Sequence, residues 1–248
     1  MTGDLTAWLR RFDVASGADR RLVCFPHAGG TAKYFRPYWR ALSGAADVIA
    51  VQYPGRQERS HEPPIGDLEE LARPAVDAVL ELSDRPLTLF GHSMGAALAF
   101  EVARRLEAKG VVLSGLFVSG RRAPSRHRDE RTHQLADPWL LHAVRGLAGP
   151  SAELPGFEVF ARKTLPLIRV DYKAAETYRY VPGPRLSCPV VALTGDADPL
   201  VTVDEAAAWA GHTDGPFDLR VYPGGHFYLD EHRPALIELL SAHLSDGA

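Results

Sequence analysis

The residues with the most evident chemical potential lie in Gly91-His92-Ser93-Met94-Gly95. A short apolar run, residues 87–90, precedes them, and a run of small, helix-favouring residues follows. The pattern reads as a buried strand, a sharp turn and the start of a helix. Such a strained turn carries the serine hydroxyl clear of the backbone and presents it as a nucleophile. The two glycines leave room where a Cβ would collide with the neighbouring strand or helix. The same five letters also describe a glycine-rich turn with an ordinary exposed serine. The rest of the chain must therefore supply the other parts of the chemistry.

A serine hydroxyl needs a base, and the base needs an acid that holds its tautomer. His226, in Pro223-Gly224-Gly225-His226-Phe227, follows an expected strand at 217–222 and is the candidate base. Two acids compete in Gly195-Asp196-Ala197-Asp198-Pro199, just after the run 190–194. Asp196 directly follows the strand-ending glycine and suits a loop cap. Asp198 lies further into the loop, where it can reach across to the histidine, and is favoured. The chain order Ser93, Asp198, His226, each after a strand, is that of an α/β-hydrolase triad. Two backbone amides should bind the developing oxyanion. One belongs to Met94, after the nucleophile; the other is assigned to Ala28, in the small-residue loop His27-Ala28-Gly29-Gly30. His27 is expected to hydrogen-bond within that loop, and His92 to be fixed in the elbow.

The elements that must position these groups alternate. Strands are expected at 21–26, 47–52, 87–90, 113–119, 190–194 and 217–222. Helices are expected at 33–42, 67–82 (kinked at Pro74), from the elbow to about 109, 203–210 and 234–244. Trp8, Leu9 and Phe12 would pin the N-terminal segment to the body. Alternation of this kind implies a mostly parallel sheet with helices on both faces, class α/β. Between about 121 and 185 the strand pattern stops. That stretch reads as helical, punctuated by Gly149-Pro150 and Pro155-Gly156, with Leu165, Ile168, Tyr172 and Ala175 on one face. The expected organisation is an α/β core of residues 1–121 and 186–248 with a helical lid insertion at 122–185. Trp139, Phe157, Phe160 and Ile168, with Leu140, Leu147 and Leu165, either line an acyl channel from that lid or simply pack it on the core. Arg121, Arg122, Arg126, Arg128 and Arg131 form the strongest basic stretch; a solvated loop is favoured over a docking site for an acidic partner.

Composition narrows the classes. The 248 residues are 46% hydrophobic and 24% charged with a net charge of −3, enough for a sizeable core and unsuited to general nucleic-acid binding. No apolar run reaches the ~18 residues of a membrane span, and residues 1–11 lack a signal-peptide core. Cys24 and Cys188 read as buried free thiols, so a cytoplasmic protein is expected. His61, His127, His133, His142, His212, His232 and His243 show no metal-ligand spacing and are expected at the surface. No glycine pattern for a nucleotide follows a strand, so neither cofactor nor metal is expected.

Six motifs together resemble one family: Phe25-Pro26-His27-Ala28-Gly29-Gly30, Gln52-Tyr53-Pro54-Gly55-Arg56, Gly91–Gly95, Asp171-Tyr172 with Glu176-Thr177-Tyr178, Gly195 with Asp198-Pro199, and Gly225-His226-Phe227. In this order, over nearly the whole chain, they look like the type II thioesterases, the discrete editing enzymes of polyketide and nonribosomal peptide assembly lines. The resemblance implies a triad of Ser93, Asp198 and His226 with oxyanion donors Ala28 and Met94. It also implies a substrate, an acyl group on the phosphopantetheine thiol of an acyl or peptidyl carrier protein. The residues alone would equally serve a carboxylesterase or lipase, or belong to a hydrolase-like binding module that has kept its triad. A free-standing monomer is expected rather than a releasing domain of a synthase.

Overall fold

The computed structural model describes residues 5–12, 17–148, 153 and 155–245. The expected break at Gly149-Pro150 lies outside them. Seven strands form one sheet: β1 (Leu9–Arg11), β2 (Arg21–Phe25), β3 (Asp47–Val51), β4 (Leu87–His92), β5 (Leu113–Ser119), β6 (Val190–Gly195) and β7 (Phe217–Tyr222), in the spatial order β1-β3-β2-β4-β5-β6-β7. All neighbours are parallel except β1, which runs antiparallel to β3 at the edge. The central strands are buried on both faces, which is why β2 and β3 read as unbroken apolar runs rather than alternating ones.

Side chains alternate between two cores. Val23, Phe25, Ile49, Leu89, Leu116 and Val118 meet α2 (Leu68–Leu80) and α3 (Met94–Glu107) on one face. Leu22, Cys24, Val48, Phe90 and Phe117 meet α1 (Arg36–Leu42) and α8 (Arg233–Ser245) on the other. Helix α2 starts where Asp67 accepts the Glu70 amide at 3.0 Å and runs on through Pro74. Trp8 is buried against the first face, as its size suggested, and Phe12 packs with Trp39 beside the second.

Between β5 and β6 come α4 (Asp137–Leu147) and α5 (Phe157–Thr177). The second of these is a single 21-residue helix that continues through Pro166. Its buried residues Ala161, Leu165, Ile168, Asp171, Ala174 and Ala175 recur at three- and four-residue steps and form one stripe toward the core. The short helices α6 (Val203–Ala207) and α7 (Tyr228–Glu231) follow β6 and β7. Cys24 and Cys188 are buried and free.

The chain leaves β2 toward one edge of the sheet and leaves β4 toward the other, although the two strands are neighbours. Their carboxyl ends therefore diverge and leave a crevice between the loop after Phe25 and the turn after His92.

Candidate active site

Ser93 sits in that crevice with φ 56° and ψ −120°, a conformation that non-glycine residues rarely adopt. The turn is held by close backbone contacts. A Cβ on Gly91 would come within 2.2 Å of the Gly95 carbonyl oxygen, and one on Gly95 within 2.1 Å of the Phe25 carbonyl oxygen. The glycines are thus fixed by backbone approach, and the second seats the elbow directly on the end of β2.

His226 Nε2 lies 3.0 Å from Ser93 Oγ, and its Nδ1 lies 2.8 Å from Asp198 Oδ2. Ionised Asp198 can only accept, so Nδ1 carries the proton and Nε2 is free to accept from Ser93. The other carboxylate oxygen of Asp198 accepts the Leu200 amide at 2.9 Å. Both residues are buried. Asp196 instead accepts the Gly224 amide at 2.9 Å, tying the β6 and β7 loops together. The two acids of this loop thus divide as their positions suggested.

Around His226 lie His92, Phe227 and, one ring further, His27. His92 Nδ1 pairs with Ser119 Oγ at 3.0 Å, and Ser119 Oγ with the Tyr228 hydroxyl at 2.7 Å. Burial, reinforced by His226 and His27, holds the His92 pKa well below the ordinary histidine value. The same two effects, burial first and the His226 charge second, push His27 down to about 3. His27 makes no hydrogen bond within its loop through Nδ1, contrary to expectation; that nitrogen is buried without a partner, and the ring packs between Tyr34 and Phe227. Both rings are therefore neutral at physiological pH, which leaves His226 as the base facing Ser93.

A cavity of about 40 Å³ opens beside Ser93 and is lined by Ala28, Met94, Gly120, Tyr172, Ala175, Glu176, Leu200 and Val201, with Arg121, Arg122, Glu130 and Thr132. Ala28 and Met94, the expected oxyanion donors, thus flank the nucleophile. Met94 opens α3, so its amide has no acceptor inside the helix and lies at the positive end of the dipole.

The four apolar residues expected to face an acyl chain lie elsewhere. Trp139 and Phe160 are 65% and 61% exposed, and Phe157 borders a shallow surface groove with Pro138 and Leu141. Ile168 is buried, but against Gly29 rather than against the cavity. Leu140 and Leu165 are buried packing residues. Phe160 lies in the first turn of α5, where Glu158, Val159 and Phe160 are all exposed and the inward stripe has not yet begun. The wall of the cavity comes from Tyr172, Ala175 and Glu176 on that stripe and from Leu200 and Val201 after the acid loop. The three-residue step from Tyr172 to Ala175 was the sequence signal for it.

Two further expectations are corrected. The basic stretch is solvated only in part, at Arg126 and Arg131. Arg122 is buried and pairs with Glu130, Arg128 pairs with Glu205, and Arg121 donates to the Ala175 carbonyl at 2.8 Å. Glu130 lies within the stretch itself, but Glu205 and Ala175 are distant in sequence, which a local charge count cannot foresee. His212 is not at the surface either. It is buried among Phe100, Tyr180 and Trp209, with Nε2 2.9 Å from Ser125 Oγ, and burial lowers its pKa to about 4.

Among the described residues, no three His, Cys, Asp or Glu side chains converge to hold a metal ion. No helix there is long and apolar enough to cross a membrane.

Comparison with known proteins agrees with this architecture. The model of the thioesterase domain family matches residues 20–244. A probable cadicidin biosynthesis thioesterase of Streptomyces griseus is 48% identical over 237 residues, 95% of this chain and 66% of that protein. Thioesterase PikA5 of Streptomyces venezuelae is 46% identical over 243 residues, 97% of this chain and 86% of that one. Among solved structures, the type II thioesterase BorB from the borrelidin biosynthetic cluster superposes with a TM-score of 0.91 at 50% identity, covering 96% of this chain and 98% of its own. RedJ, a thioesterase of the prodiginine pathway in Streptomyces coelicolor, gives 0.87 at 40% identity, covering 92% and 86%. The chain belongs to the thioesterase family of α/β-hydrolases, within its type II branch of polyketide and nonribosomal-peptide clusters.

Proposed function

We propose that the protein hydrolyses acyl thioesters carried on the phosphopantetheine arm of acyl or peptidyl carrier proteins, through an acyl-serine intermediate. The observation that carries this reading is the relay from Ser93 Oγ through His226 to Asp198, at 3.0 and 2.8 Å. His226 Nε2 takes the hydroxyl proton as Ser93 Oγ bonds to the thioester carbonyl carbon. The carbonyl oxygen becomes an oxyanion, received by the amides of Ala28 and Met94. Collapse breaks the C–S bond. A thiol of pKa about 8.5 is a good leaving group, and the imidazolium returns the proton to it. A water molecule, deprotonated by His226, then attacks the acyl-serine and releases a carboxylic acid, restoring Ser93. Residues 122–185 act as the lid over this site, and no cofactor takes part. The role that fits is editing, the removal of stalled or wrong acyl groups so that the carrier is free again, in the cytoplasm where the synthase works.

The cavity beside Ser93 is where the acyl group would sit. The test is hydrolysis of acetyl and propionyl groups from a carrier protein by the native enzyme and by Ser93→Ala. The variant should retain the native melting temperature and lose the activity; undiminished hydrolysis would refute the role of Ser93. Simple esters outcompeting the carrier-bound acyl group would move the reading to a general carboxylesterase.

A further inference from the structure

Two of the sequence motifs, Gln52-Tyr53-Pro54-Gly55-Arg56 and Asp171-Tyr172, have no part in the relay just described. The structure brings both to one place, behind the loop that carries Ala28. Asp171 is fully buried on α5, and Arg56 is nearly so. The guanidinium meets the carboxylate as a fork, NH1 to Oδ2 and NH2 to Oδ1, each at 2.8 Å. Asp171 Oδ2 also accepts the amide of Gly29 at 2.7 Å, and Arg56 NH1 also donates to the carbonyl of Gly30 at 3.1 Å. The residues immediately after Ala28 are thus held at one amide and one carbonyl by the two halves of a single buried ion pair.

Other contacts close the same loop. Gln52 Oε1 accepts the Ala32 amide at 3.1 Å, and the Tyr53 hydroxyl donates to the Pro26 carbonyl at 3.0 Å. Gly29 has φ +74°, and a Cβ there would lie 2.6 Å from Ile168 Cγ1, so α5 lies directly on the turn. A charged, bidentate, desolvated pair fixes orientation more tightly than a neutral bond does. An amide that must meet an oxyanion depends on such orientation, because its effect falls steeply with misplacement.

We infer that Asp171 and Arg56 are positioning residues for catalysis: the ion pair sets the Ala28 amide at the oxyanion position and makes that setting depend on α5 being docked. The inference rests on the roles given above to Ser93, Ala28 and Met94. Asp171→Asn places an amide NH2 where the fork needs an oxygen, and Asp171→Glu keeps the charge but shifts the carboxylate by one methylene.

The experiment measures hydrolysis of acetyl-N-acetylcysteamine thioester, with kcat taken per active site titrated by a fluorophosphonate. It also measures inhibition by propylboronic acid, whose boron accepts Ser93 Oγ to give a tetrahedral anion. In both variants kcat should fall about 10- to 100-fold, with KM within twofold and boronate affinity weakened in step with kcat. A purely structural role would lower the melting temperature and the titratable fraction but leave kcat per site and boronate affinity unchanged, and would overturn the inference. Should Asp171→Asn fail to fold, Asp171→Glu decides in the same way, and Arg56→Lys is the companion from the other side. Activity surviving in Ser93→Ala would instead overturn the underlying reading of the site.

Discussion

Asp198 offers the sharpest single-atom prediction. Its Oδ1 accepts the Leu200 amide at 2.9 Å while Oδ2 accepts His226 Nδ1 at 2.8 Å. In Asp198→Asn the Leu200 amide still requires an oxygen opposite it. The asparagine carbonyl must take that place, which turns the NH2 toward His226. Nδ1 then has to accept, so the imidazole proton moves to Nε2 and points at Ser93 Oγ, 3.0 Å away. The base becomes a donor toward the group it should deprotonate. A wrong tautomer of this kind costs about 10⁴ in kcat, or about 5.5 kcal/mol of transition-state stabilisation. Asp196 supplies the control. Its carboxylate accepts only the Gly224 amide, at 2.9 Å, and an asparagine carbonyl can do the same. Asp196→Asn should therefore stay within about threefold of the native rate. The assay is kcat on acetyl-N-acetylcysteamine thioester, with melting curves to show that both variants fold. An Asp198→Asn enzyme keeping more than a tenth of the native kcat would refute the argument, as would an equal loss in Asp196→Asn.

Gly95→Ala should be poorly tolerated, because its Cβ would sit 2.1 Å from the Phe25 carbonyl oxygen and 2.5 Å from that of Pro26. Both obstacles are backbone, so a destabilisation of about 1–3 kcal/mol is expected, a fall of several degrees in Tm; a melting temperature within one degree of native would contradict it. Acid should weaken the fold through its buried neutral histidines. Burial holds the His27 ring down to about 3 in the folded protein, against the ordinary histidine value of about 6.5. The unfolded chain therefore binds the extra proton first, and stability falls with pH from about 6.5 downward, by up to about 1.4 kcal/mol per pH unit for this group. His92 acts in the same direction for the same cause. Urea unfolding at pH 7.5 and 5.0, with NMR of the ring carbons, checks this; a His27 ring that protonates near pH 6.5 in the folded protein would defeat it.

The parts of the fold that were legible in the sequence are those fixed by short-range pattern. The strands at 113–119 and 217–222 lie where the sequence places them, and the first strand of that pattern, β2, stops at Phe25 because Pro26 has no amide to give the ladder. The convergence of Ser93, Asp198 and His226 was legible because each lies on the loop after a strand, and a parallel sheet puts all such loops on one side. The helices between β5 and β6 were visible as helices, but their orientation was not. Trp139 and Phe160 looked like core residues by size, and only the packing of α5 through Leu165 and Asp171 shows that they face outward. The partners of the arginine stretch escaped for a related reason. Glu205 lies 77 residues beyond Arg128, and nothing local announces the pair. His212 was hidden likewise, since the rings that bury it come from Phe100, Tyr180 and Trp209 on separate elements.

The position of α5 has a consequence for how such an enzyme changes its substrate. Loops and insertions at the carboxyl ends of a parallel sheet are usually free to vary, because the sheet alone holds the catalytic groups. Here Ser93, Asp198 and His226 do rest on β4, β6 and β7, but the loop bearing Ala28 is held from behind by Asp171 of the inserted helix. The same helix supplies Tyr172, Ala175 and Glu176 to the cavity wall, within about a turn and a half of Asp171. A rotation of α5 that widened the cavity for a longer acyl group would carry the Asp171 carboxylate away from Gly29. Acyl-chain selectivity and oxyanion geometry are thus coupled through one element. Substitutions that enlarge the cavity without moving the helix, at Ala175 or Val201, should change selectivity at little cost in kcat, whereas those that shift the helix should lower kcat for every acyl group alike.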